Sequence, residues 1–205
     1  MEKLDEEILK ARRSVKQEEE KKHSQENIEK ELEETIFSGK IHIYGEEVEF
    51  ARRTLEEYRV SILMPVTSYE LDEELKKAIY PMDTRPKYVF GNMSVNITVS
   101  FQHTVHKILK EHLEDFMAYS KKLLLSVGPK VMFLQTNMLE KENDKIGVME
   151  FVSSAMDTNV YNIQFYIPVD DGLLVGAINF PVKYKDRQMK IAHEMLQSIE
   201  IERKE

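Results

Sequence analysis

His103 and His106 stand three apart, with Glu111 and His112 beyond them. A metal centre needs three or four ligands converging on one point, with further partners holding those ligands in place. His103 and His106 can approach each other, but on a helix His112 points away from His106, so the set falls short. Exposed or capping histidines account for the pattern. His42 and His193 are isolated and His23 lies among charges, so no metal is expected. Asp157, Asp170 and Asp171 could be taken for paired catalytic carboxylates. Glycosidase chemistry, however, requires two carboxyls at a fixed separation across a cleft, one with a raised pKa. Asp170 and Asp171 precede Gly172, where the chemistry of a hairpin turn explains them. Ser153-Ser154 has no Gly-x-Ser-x-Gly elbow and no evident base. The chain has no cysteine, and its seven glycines stand singly, which leaves neither a thiolate nor a glycine-rich phosphate loop. Neither catalysis nor a cofactor is expected.

What remains is surface chemistry. Asn162, Gln164 and Tyr166 alternate with Tyr161, Ile163, Phe165 and Ile167, so the first three share one face of a strand. Asn96 and Thr98 are placed to share a similar face. Covered only in part by helix, such a face is a mixed amide and aromatic patch suited to gripping a peptide or helix. A polar face that merely touches water is the plain alternative. The eleven methionines suit either an adaptable groove or ordinary core filling. Lys183, Lys185, Arg187 and Lys190 could meet an acidic partner or form a solvated loop interrupted by Asp186.

The elements that must position these residues follow from composition and periodicity. The chain has 205 residues, 41% hydrophobic and 32% charged, enough for one domain with a core and an appendage. Its net charge of −8 argues against a nucleic-acid partner. No apolar run reaches the ~20 residues that cross a bilayer. The amino terminus is charged from its second residue and resembles no secretory leader, so a cytoplasmic location is expected.

Residues 1–38 form a charged segment rich in Glu, Lys, Arg and Gln, with favourable pairs such as Glu6 with Lys10 and Glu26 with Lys30. This predicts a helical arm. Its apolar stripes, Ile8 to Val15 and Ile28 to Ile36, are separated by a gap that a regular coiled coil would not show. A solvated, frayed helix and a docked or self-associating arm both fit, and Gly39 is placed to end it.

From residue 39 to 205 the pattern predicts one folded domain. A hairpin over Ile41 to Arg53 leads to a strand ending at Pro65, then a short helix capped by Ser68 or Asp72 and stopped before Pro81. Gly91-Asn92 predicts a hairpin turn into a half-buried strand carrying Val95, Ile97, Val99 and Phe101. The apolar spacing from Leu109 to Val127 predicts a long helix from Thr104, stopped by Gly128-Pro129. A three-strand meander, an Asp170-Asp171-Gly172 turn, a central strand from Leu173 to Val182 and a helix from about Asp186 to Ser198 complete the order. Tight turns between successive strands make the sheet mainly antiparallel, and helices on both faces give an α+β class α/β/α sandwich.

The closing run, LLVGAINFPV, then a basic loop, then a helix ending in LQSIEI, resembles the PsbP-like fold, as does the early strand ending in Met64-Pro65. That group also covers a Ran-binding nuclear import factor and the bacterial DcrB-like proteins. The resemblance spans roughly Lys40 to Ile201, and the charged arm and the want of a leader depart from it. It implies binding of another protein, in one cytoplasmic subgroup as a chaperone for secreted effectors. The resulting expectation is a non-enzymatic interaction module using Asn162, Gln164 and Tyr166. The alternative is a carrier of a small apolar ligand held between sheet and helices.

Overall fold

The computed structural model describes residues 33–80, 85–93, 95–126, 131–154 and 158–203. In chain order the elements are β1 (Lys40–Ile43), β2 (Glu46–Leu55), β3 (Val60–Pro65), β4 (Tyr69–Glu70) and α1 (Glu73–Ile79). There follow β5 (Tyr88–Asn92), β6 (Ile97–Thr104), α2 (Leu113–Ser126), β7 (Val131–Glu140), β8 (Lys145–Ser154) and β9 (Asn159–Val169). The chain closes with β10 (Gly172–Pro181), α3 (Lys185–Gln197) and β11 (Glu200–Ile201). Every strand pairing is antiparallel. The strands form two sheets rather than the single sheet that their sequence order suggests: β1-β2-β3-β11, and β4-β5-β6-β10-β9-β8-β7.

Helix α3 and the small sheet cover one face of the large sheet, here called inner, and α1 and α2 lie on the outer face. The inner core joins Ile62 and Met64 of β3, Phe101 of β6, Phe165 of β9, Ile178 and Phe180 of β10, and Met195 of α3. Phe101 and Phe165 meet edge to face at 5.9 Å, and the Phe165 ring fills the space over Gly176, where a Cβ would lie 2.1 Å from the ring. A smaller outer core joins Leu113 and Met117 of α2 to Met149, Tyr166 and Leu173. Gly147 admits the Met117 side chain at a distance no Cβ could tolerate.

Several expectations hold in detail. Tyr44 and Gly45 take positive φ in the β1–β2 turn, Asp72 caps α1 by accepting from the Leu75 N–H, and Pro65 ends β3. Gly39 takes φ 89 after a short 3-10 turn, Ile36–Ser38. The expected arm helix lies outside the described residues up to residue 32. Ile36, assigned to the arm by composition, is fully buried, and its N–H donates to Glu194 at 2.9 Å. The folded body thus reaches back to at least Ile36.

Other expectations are corrected. Gly91 and Asn92 lie inside β5, and the turn to β6 uses Asn96 at φ 51. Helix α2 starts at Leu113 rather than Thr104, because β6 continues to Thr104, paired with Leu173 of β10. Leu109 and Leu123, counted on its buried stripe, are 60% and 54% exposed. Gly172 does not need positive φ. A Cβ there would lie 2.0 Å from the Thr104 carbonyl oxygen, so close approach of β6 is what requires glycine.

Candidate functional site

Strand pairing brings the three expected site residues into rows with residues far away in sequence. Thr98, Asn179, Asn162 and Phe151 face one another across β6, β10, β9 and β8, and the next row is Ser100, Ala177, Gln164 and Met149. A third row holds Gln102, Val175, Tyr166 and Gly147. All lie on the outer face. Helix α2 covers its β7–β9 side, and the segment around α1, with Leu71 and Tyr80, covers the β5–β6 side. Between them Thr98, Gln102, Gln164, Ala177 and Asn179 stay half-buried.

Two of the three residues expected to form the patch are buried. Tyr166 is only 2% exposed: the Phe116 ring meets it edge to face at 5.4 Å. Burial pushes its phenol up to about 12, against a hydrogen bond with Ser120 that lowers it. Asn162 is also buried, its amide nitrogen donating to Ser153 Oγ at 3.0 Å and to the carbonyls of Val160 and Phe151. These acceptors fix its orientation, so Asn162 Oδ1 accepts from Asn179 Nδ2 at 2.6 Å. That contact in turn aims Asn179 Oδ1 away. Gln102 donates to the His103 carbonyl at 3.1 Å. Gln102 Oε1 and Asn179 Oδ1 are shielded from water and accept no hydrogen bond among the described residues. Only Gln164 of the expected trio remains within reach of a partner. Gln102 and Asn179 join it, and the signal for them was the same alternation on β6 and β10.

A second constellation lies on the inner face. Glu150, 2% exposed, accepts at Oε1 from Gln135 Nε2 at 2.8 Å and pairs there with His193 Nε2 at 3.1 Å, while Tyr161 donates its hydroxyl to Oε2. Burial alone would raise the Glu150 pKa, but the hydrogen bonds from His193, Tyr161 and Gln135 outweigh it and bring the value down to about 2. The same environment, burial first and then the Glu150 carboxylate, pushes the Tyr161 phenol up. His193 is therefore not isolated, as the sequence suggested. The carboxylate–imidazole pair ties α3 to β7, β8 and β9. Of the Ser153-Ser154 pair, Ser153 sits on the outer face bonded to Asn162, and the Ser154 hydroxyl, at the end of β8, donates to Asn159 Oδ1 at 3.1 Å.

The remaining candidates are held in local contacts. His103 stacks on Tyr58 at 5.1 Å and pairs with Asp171 at 3.2 Å, apart from the exposed His106 and His112. Among the described residues no group of three or more His, Asp or Glu could hold a metal ion. Of the basic group, Lys183, Lys185 and Arg187 lie over the rings of Tyr184, Tyr161 and Tyr44, and Lys190 pairs with Glu194 at 3.6 Å. The cleft between α3 and β1 sets Ile41, Ile43 and Ile191 beneath a charged rim of Glu34, His42, Arg187, Lys190 and Glu194. No described helix is long and apolar enough to cross a membrane.

No protein-family model matches the chain, and no curated protein matches its sequence. Solved structures do match its architecture. Cyanobacterial PsbP (CyanoP) from Synechocystis sp. PCC 6803 superposes with a TM-score of 0.56 at 9% identity, over 75% of this chain and 92% of that one. Protein PA94 of unknown function from Pseudomonas aeruginosa reaches 0.45 at 8% identity, over 76% and 99%. The immunity protein TplEi of T6SS from the same organism reaches 0.40 at 10%, over 79% and 75%. The fold assignment rests on the first: the domain has a PsbP-like fold.

Proposed function

We propose that this domain is a non-enzymatic protein-interaction module, an adaptor or secretion-type chaperone, that holds a protein segment on the outer face of its large sheet. The observation that carries the reading is the half-open patch of Asn179, Gln164 and Gln102, one from each of three successive rows on three adjacent strands whose inner face is closed by core. Two of these amides carry solvent-shielded oxygens that accept no hydrogen bond among the described residues. Such an oxygen costs about 1–3 kcal/mol, and because solvent does not reach it here the amide must turn outward before a peptide N–H or a side-chain donor pairs with it. Ala177 beside them offers an apolar contact. A secreted effector is the partner suggested by the fold resemblance, and that step is analogy. The net charge of −8 disfavours nucleic acid on this face.

Capture from native cells with the full chain and with Gln164→Arg, followed by titration of the retained protein, tests the reading. The substitution should weaken binding about tenfold by filling the opening between α1 and α2, with the melting temperature moved by less than about 2 °C. Equal affinity for both chains would remove this face from consideration. An eluate holding only a small molecule would favour the carrier instead.

A further inference from the structure

We propose that the outer edge of β7 is where two copies of this chain join, strand against strand, about a two-fold axis through Thr136. The four sheet edges differ sharply. The large sheet ends at β4, two residues long, and at β7, ten residues long, while the small sheet ends at β1 and β11, with four and two. Very short edge strands offer little to pair with, whereas a long one presents a row of unpaired backbone groups. Among the described residues no strand pairs with the outer side of β7. Its run VMFLQTNML carries neither charge nor proline, and of the devices that blunt an edge it holds only the one bulge at Leu134. Met132 and Leu134 are 59% and 39% exposed on it.

The occupant is argued from the strand's own symmetry. β7 has one register shift, between Phe133 and Gln135, so Leu134 is extra and each remaining residue keeps a definite face. Met132 and Leu139 lie opposite Val152 and Ile146 on the inner face, and Phe133, Thr136 and Met138 lie opposite Phe151, Met149 and Gly147 on the outer. An antiparallel second copy then sets Met132 against Leu139, Phe133 against Met138, Gln135 against Asn137, and Thr136 against itself. Each pair shares a face, apolar meets apolar, amide meets amide, and the two bulges fall symmetrically on either side of the axis. An isologous contact demands this self-complementarity, and a foreign strand would not. Glu140 falls at opposite ends of the paired strands, so the two carboxylates do not oppose one another. Helix α2 packs on the outer face beside β7, with Lys121 over the Phe133 ring, and leaves the strand's outer side uncovered among the described residues.

Each copy carries −8, so long-range repulsion opposes the contact and salt should strengthen it. Sedimentation velocity of the full chain should show a concentration-dependent dimer, favoured at high salt. Leu134→Lys should weaken it about tenfold or more, since the lysine would be buried against the partner's edge, with the melting temperature unchanged. Because the chain has no cysteine, Thr136→Cys gives a readout that does not rely on a weakened variant. The full chain carrying it should form a disulfide-linked dimer on oxidation, and Tyr69→Cys on the opposite edge should not. Two results would each overturn the proposal. One is a monomer at every concentration and salt. The other is a dimer indifferent to Leu134→Lys and unlinked at position 136, which would move the contact elsewhere, residues 1–32 included.

Discussion

A Cβ at Gly172 would sit 2.0 Å from the Thr104 carbonyl oxygen and 2.8 Å from His103 Nε2. The backbone of β6 cannot withdraw without breaking its register with β10, so Gly172→Ala should lower stability by about 1–3 kcal/mol through overpacking. Gly45→Ala meets nothing within 4 Å but sits at φ 80, and should lose about 1 kcal/mol from backbone conformation alone. Chemical denaturation of both variants separates the two mechanisms, and equal small losses would show that β6 shifts to make room. The sequence placed Gly172 at a turn and Gly45 within a hairpin and could not tell these reasons apart, because the first depends on a strand 68 positions away. The same limit governs the candidate site. Alternation placed Asn162, Gln164 and Tyr166 on one face correctly, but which of them stays accessible is decided by Phe116 and Ser153, which local pattern does not locate.

Among elements, α2 is the clearest case of tertiary pairing overriding local propensity. Val105 and Leu109 extend its apolar spacing backwards, yet they are 78% and 60% exposed, because Gln102, His103 and Thr104 are already committed to β10. The hairpins, the meander and α3 were legible because each rests on periodicity and adjacent turns. The division into two sheets was not, since β11 returns to β3 from the far end of the chain. Docking of α2 rests on Leu113, Met117 and the Phe116–Tyr166 contact, so Tyr166→Ala should cost about 3–5 kcal/mol. Gln164→Ala, two residues away but half-exposed, should stay within about 0.5 kcal/mol. Thermal unfolding of the pair checks this. A Tyr166→Ala protein as stable as its parent would mean that α2 is held by something other than this ring contact.

At the scale of the whole molecule, two buried carboxylates join parts that the chain leaves far apart. Glu150 links α3 to three strands, and Asp144, 6% exposed, holds Arg203 after β11 and Lys110 before α2. Burial alone would raise the Asp144 pKa, but Arg203 and Lys110 lower it on balance. Both groups therefore bind protons less readily folded than unfolded, and stability rises with pH wherever the unfolded chain holds more protons. Their contribution is fully present above the ordinary carboxylate range and is lost as pH falls. For Glu150 the window runs from 4.5 down to about 2, corresponding to about 3 kcal/mol. Glu150→Gln keeps the shape but removes the charge, so it should be less stable by about that amount at pH 7, with the gap closing as pH approaches 2. Urea unfolding of both proteins at a series of pH values measures the gap directly. Two parallel curves across the window would mean that the pairing with His193, Tyr161 and Gln135 adds no net stability and serves only to set the position of α3 on the sheet.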